Sequence, residues 1–169
     1  QYGNLIKLIL PSKGVVKWFI PTDRSTFLTS LPKEPYLKYA IFCRGTDEGS
    51  EGQLNLNDVV DLIDLPRLPE SVENAPRVLA EIDLNLAFCI AGGVPGTHHL
   101  MVAIKGPGMP LDPPPTQAID WEEGILFQRQ IKAFRIPVQG PGLYVAAILL
   151  DGTPLGEGSF LVRLQGESS

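Results

Sequence analysis

Three observations predict an all-β chain folded as a two-sheet antiparallel sandwich. The 169 residues include 17 glycines and 16 prolines spread along the whole length, which leaves few stretches long enough for an ordinary helix. The runs between these breakers are rich in Val, Ile, Leu, Phe and Tyr, the residues that suit a pleated surface. Several runs also alternate with period two, most clearly VLAEIDLNLAFCI (78–90), with Ile82, Leu84, Leu86 and Phe88 on one face and Glu81, Asp83 and Asn85 on the other.

The elements follow in chain order. LIKLIL (5–10) and VVKWFI (15–20), joined by PSKG, read as a β-hairpin, and a polar stretch ending in two prolines completes an N-terminal hairpin and connector over residues 1–35. A sandwich domain over 36–165 and a flexible tail over 166–169 are expected to follow. YLKYAIFC (36–43) is a strand, and GTDEGSEG after it a soft acidic loop. QLNLNDVVDLIDL (53–65) opens as a strand, with Leu54 and Leu56 on one face, while VVDLIDL also suits a short helical turn. A proline-bounded connector follows, in which SVEN offers a cap and one or two turns of helix. After strand 78–90, AGGVPGT turns into a strand over HHLMVAIKG (98–106). PGMPLDPPPTQAIDWEE is a stiff proline-rich crossing, and ILFQRQIKAFRIPV (125–138) is the next strand.

GPGLYVAAILLDGTPLGEG (140–158) is the last hairpin. LYVAAILL is apolar on both faces, as in a strand covered on both sides. Asp151 and Gly152 tolerate the positive φ of a type I′ turn, and Tyr144, just after a glycine turn, suits a buried corner whose hydroxyl reaches backbone. About seven strands after residue 35 with regular turn signals make a sandwich.

Two phrases carry a resemblance. In GQLNLNDVVDLID they are the positions Gly52, Leu54, Asn55, Leu56, Val59, Asp61 and Ile63; the second phrase is PGLYVAAILLDGTPLGEGSFLVRL (141–164), with GTHHLMVAIKG between them. Over residues 36–165 the chain resembles a family of small bacterial proteins of unknown function that share these phrases. Asp58 stands where that pattern has a glycine. The resemblance implies an immunoglobulin-like sandwich and no established activity.

Composition excludes several classes. Hydrophobic residues make up 44% and charged residues 20%, so the signature of disorder is absent. A net charge of −5, with Lys7, Lys13, Lys17, Lys33 and Lys38 scattered, lacks the footprint of a nucleic-acid binder. No run reaches the ~18 apolar residues of a membrane-spanning helix. QYGNLIKLIL lacks the basic region and cleavage site of a signal peptide, so a cytoplasmic location is the expectation.

Candidate chemistry is sparse. Neither a glycine-rich nucleotide loop opening a helix nor a GxSxG nucleophile elbow occurs. Cys43 and Cys89 lie in apolar runs and read as reduced core thiols, with an inter-sheet bridge as the alternative. Adjacent strand residues point to opposite faces, so His98 and His99 do not readily share a metal; His98 facing outward or a hydrogen-bonded His99 in the core is expected. A nucleophilic Cys43 served by either histidine has no local signature in its favour. Asp120, Trp121, Glu122 and Glu123 place carboxylates beside an aromatic ring, as glycoside-binding clefts do. Neighbouring glutamates alone do not face each other across a bond, so a solvated loop anchored by Trp121 is expected. GTDEGSE (45–51) lacks the ligand spacing of an EF-hand.

No catalytic, cofactor-binding or metal-ligating residue is therefore assigned, and no cofactor. The expected function is that of a non-catalytic binding or assembly module. Its apolar hairpin over residues 5–20 must be covered, on its own sandwich or by a partner, so a protein partner or self-association is expected, with neither nucleic acid nor membrane. The alternative is a small enzyme or carbohydrate-binding module using end loops around Asp120–Glu123.

Overall fold

A computed structural model describes residues 34–49, 53–66, 78–110 and 113–165. The hairpin expected over 5–20, the helical turn at SVEN and the tail over 166–169 lie outside the described residues. Among the described residues are nine strands and no helix: β1 (Tyr36–Glu48), β2 (Leu54–Val59), β3 (Leu62–Leu65), β4 (Ala80–Ala91), β5 (Gly96–Lys105), β6 (Thr116–Trp121), β7 (Phe127–Val138), β8 (Gly142–Leu150) and β9 (Thr153–Leu164). They form a four-stranded sheet in the order β2-β1-β4-β7 and a five-stranded sheet in the order β3-β9-β8-β5-β6.

All neighbouring pairs are antiparallel except β3 with β9. From β4 onward the chain runs four-stranded sheet, five-stranded sheet twice, back to the first for β7, then to the second for β8 and β9. Antiparallel sheets connected this way make an immunoglobulin-like sandwich.

The alternation read in the sequence builds the core. Ile82, Leu84, Leu86, Phe88 and Ile90 of β4 all belong to the buried cluster, facing Leu100, Tyr144, Ala146, Ile148, Phe160 and Val162 of the other sheet. Phe160 joins the layers, edge-on to Phe42 at 5.0 Å between ring centroids and stacked on Tyr144 at 5.3 Å. Such aromatic pairs add about 0.5–1.5 kcal/mol beyond the area they bury.

Tyr144 closes the corner anticipated for it. Its hydroxyl donates to the Gly140 carbonyl at 3.0 Å and accepts from the Gln139 N–H at 3.1 Å. A side chain at Gly106 would collide with the tyrosine ring, its Cβ falling 2.3 Å from ring carbons, so the corner dictates the glycine. The last hairpin turns on two residues, with Asp151 at φ 50° and Gly152 at φ 80°, both in the left-handed region that a type I′ turn requires.

The structure corrects four expectations. GTDE is strand: Gly45, Thr46, Asp47 and Glu48 pair with β2, so the soft loop is shorter than expected. VVDLIDL is neither one strand nor a helical turn, because the chain changes sheets inside it. The Val60 N–H still donates to the Phe42 carbonyl on one sheet, while the Asp61 carbonyl already accepts from Leu161 on the other. Asp58, just before this crossing, holds φ 51°, so the carboxylate residue takes the conformation that a glycine there would take. The proline-rich crossing contains β6, whose TQAIDW carries too few apolar residues to signal a strand. Finally, β8 is buried on one face only: Leu143 is 55% exposed, and Val145, Ala147 and Leu149 are half-buried.

Candidate binding surface at one end of the sandwich

The β4–β5 loop (92–95), the β6–β7 loop (122–126) and the β8–β9 turn (151–152) meet at one end of the sandwich. Phe127 pairs with Ala91, and Trp121 with Gly96. These loops are short, and buried side chains hold their backbones from below.

His98 is the first of these holding groups. It is 8% exposed, buried at the base of the loops, and its two ring nitrogens face two acceptors: the Asp151 carboxylate at 2.6 Å from Nδ1 and the Val94 carbonyl at 2.8 Å from Nε2. Two acceptors call for two ring N–H donors, so the site favours the imidazolium. The Asp151 hydrogen bond, then the Val94 carbonyl, push the His98 pKa up against the opposing cost of burial. Asp151 in turn accepts from the His99 N–H at 2.7 Å and donates its own N–H to the His99 carbonyl at 2.8 Å. The His99 N–H, and secondarily His98, hold its carboxyl below the usual range. The expected orientation of the two histidines is thus reversed: His98 points in and His99 out, because the inward row continues from Leu100 to His98.

Trp121 is the second. Its indole N–H donates to the Ile125 carbonyl at 2.6 Å, and its ring lies so close to Gly93 that a Cβ there would fall 2.4 Å from ring carbons. The Gly92 N–H donates to the Leu126 carbonyl at 3.3 Å, tying the two loops together. Above this base stand Val94, Ile125, Leu126 and Phe127, exposed by 56%, 42%, 49% and 49%. Lys38 lies over the Phe127 ring at 4.5 Å from its centroid. Three large apolar side chains thus crown two loops whose backbone is pinned, and Phe127 follows at the start of β7.

The other candidates are placed as follows. Glu122 and Glu123 are exposed within the β6–β7 loop, and Asp120 accepts from the Thr97 hydroxyl at 2.8 Å. Trp121 is 2% exposed, so it presents no ring face to a sugar. β1 runs from Tyr36, paired with Ala91 at this end, past Cys43 opposite Asn85, so the GTDEG segment lies toward the opposite end from Asp120–Glu123. The acidic segments that the enzyme reading had to bring together are held apart.

Cys43 and Cys89 are buried and free, sit on adjacent strands of one sheet, and pair with Asn85 and Tyr39 rather than with each other. An inter-sheet bridge is therefore not formed. Burial pushes both thiols up. Both lie outside the inter-sheet core that adjoins His98, so no Cys–His pair forms. Among the described residues no group of three or more His, Cys, Asp or Glu is placed to hold a metal ion. A shallow groove of about 550 Å³ runs past Arg44, Asp83, Asn85 and Arg135. Arg135 donates to Asp83 at 2.9 Å and Asn85 to the Arg44 carbonyl at 3.3 Å, so its polar groups largely satisfy one another.

The loop surface was hidden from sequence reasoning. ILF reads as the start of a strand, and the outward direction of Val94 follows from the Trp121 and His98 contacts beneath it.

No protein-family model matches the chain, and no curated protein matches it. Among solved structures, it is similar to the Pseudomonas fluorescens alkylpurine DNA glycosylase AlkC bound to DNA containing an abasic site analog, at 17% identity and a TM-score of 0.45, covering 77% of this chain and 30% of that one. This chain therefore spans about a third of that protein's length. It is also similar to an immunoglobulin-like protein from Pseudomonas aeruginosa, at 16% identity and a TM-score of 0.39, covering 77% of this chain and 97% of that one. Likenesses this distant leave the function to the chain's own geometry.

Proposed function

We propose that the chain is a non-catalytic binding module that engages a protein partner through the loop end carrying Val94, Ile125, Leu126 and Phe127. The observation that carries this reading is the combination of apolar exposure with rigid support. Exposed apolar side chains on loose loops cost ordering entropy on binding, whereas here His98, Trp121 and the Gly92–Leu126 hydrogen bond already hold the backbone. Contiguous exposed apolar surface marks interaction sites on soluble proteins.

The enzyme or carbohydrate reading has less support. Glu122 and Glu123 are exposed, and the indole is spent on scaffold. Residues 5–20 remain a second proposed contact, on the grounds of their apolar sequence alone.

A photocrosslinking amino acid placed at Leu126, and at the exposed Glu48 toward the opposite end as a control, tests the proposal in extracts of the source cells. One defined protein crosslinked from position 126, absent from position 48 and lost in a Val94→Ser, Phe127→Ser background, is the expected result. Equal crosslinking from both positions would sink it.

A further inference from the structure

The five-stranded sheet turns a second apolar surface outward. Leu62, Leu161 and Leu143 form one continuous row across β3, β9 and β8, since Leu161 pairs with both of the others. They are 45%, 43% and 55% exposed. Down β8 the same face continues through Val145, Ala147 and Leu149, with Ala103 of β5 beside Ala147. The apolar stripe runs roughly 20 Å along β8, and the Leu62–Leu161–Leu143 row crosses it at one end.

Two unpaired charges flank β8 and differ in sign, while Arg163 of β9 and Asp64 of β3, on the same face, bond to each other at 2.8 Å. Lys105 stands on β5 opposite Val145, and Glu157 on β9 opposite Ala147. Among the described residues neither has an ion-pair partner. A twofold axis along β8 lays β5 of one copy over β9 of the other. Each Lys105 then faces the partner's β9 one side-chain row from Glu157, roughly 7 Å along the strand and within reach of a lysine side chain. The operation makes two such ion pairs and lays β8 on β8, where Ala147 lets the sheets approach. Self-complementarity of this kind is what a twofold interface requires.

We infer that the outer face of the five-stranded sheet is the interface between two copies of this chain. The inference is independent of the loop-end reading, because the two surfaces share no residue.

Sedimentation equilibrium of the full chain tests it, with circular dichroism to confirm folding. Wild type is expected to be a dimer that dissociates on dilution, and Ala147→Arg a monomer. Lys105→Glu and Glu157→Lys should each weaken association at least tenfold, and combining them should restore it to within a few-fold of wild type. Leu161→Ser is a milder probe of the same face should Ala147→Arg not fold. A monomeric wild type at every concentration overturns the inference. So does a dimer indifferent to Ala147→Arg and Leu161→Ser, or a double charge reversal no better than the single ones. A dimer broken by Leu8→Asp but untouched by the face substitutions also overturns it, and gives the contact to residues 5–20.

Discussion

His98 is the residue whose chemistry the fold changes most. Its ring joins Asp151 in one turn to Val94 in another loop, and it does so best when doubly protonated. Folding raises its pKa above the ordinary value near 6.5, so its contribution to stability is fully present below pH 6.5 and is lost as pH rises through the folded value. Asp151 is shifted the other way, from an ordinary value near 3.8, so its contribution appears above that pH and is lost as pH falls through the lowered value. The stability difference between wild type and His98→Gln, from urea midpoints between about pH 4 and pH 9, should therefore be largest between about pH 4 and 6.5 and shrink above. A difference that stays constant through neutrality would mean that His98 is neutral in the folded chain.

At the scale of an element, the passage from β2 to β3 shows how one backbone conformation moves a chain between sheets. Asp58 sits at φ 51° immediately before the crossing, and an aspartate tolerates this region better than a β-branched residue does. Asp58→Gly is expected to leave thermal stability unchanged or raise it. Asp58→Val should lower it by about 1–2 kcal/mol, measured as a shift in urea midpoint at constant slope. The edge strand β7 carries its own protection: Lys132 bonds to Gln117, and Gln128 donates to the Asp120 carbonyl at 2.6 Å, tying β7 to the β6 layer. An inward-pointing lysine on an edge strand disfavours pairing with stray strands. Gln128 and Lys132, two of the polar residues within ILFQRQIKAFRIPV, form this seam.

Over the whole sandwich, Phe160 is one of the points that couple the two sheets, by its edge-on contact with Phe42 of the other sheet, and it also stacks on Tyr144 of its own. Phe160→Ala is expected to cost about 3–5 kcal/mol and to do so in a single transition. Far-ultraviolet dichroism and, in a Trp18→Phe background, the fluorescence of Trp121 on the edge strand of the five-stranded sheet should give the same midpoint. Separated midpoints would show that the sheets melt independently.

The amino-acid order by itself determined the all-β class, the inward row of β4, the Tyr144 corner and the Asp151–Gly152 reversal. Each depends on neighbours one, two or four residues away, and period two and turn chemistry are local properties. Tertiary structure alone decided that His98 rather than His99 points inward, that the chain changes sheets at Val60–Asp61, and that β6 exists within a proline-rich crossing. It also decided which apolar residues are left outside. Phe127 and Leu143 read in the sequence like Ile82 or Leu86. Whether an apolar strand residue is core or contact surface depends on whether a second layer lies over it, and that layer comes from elsewhere in the chain or from another molecule.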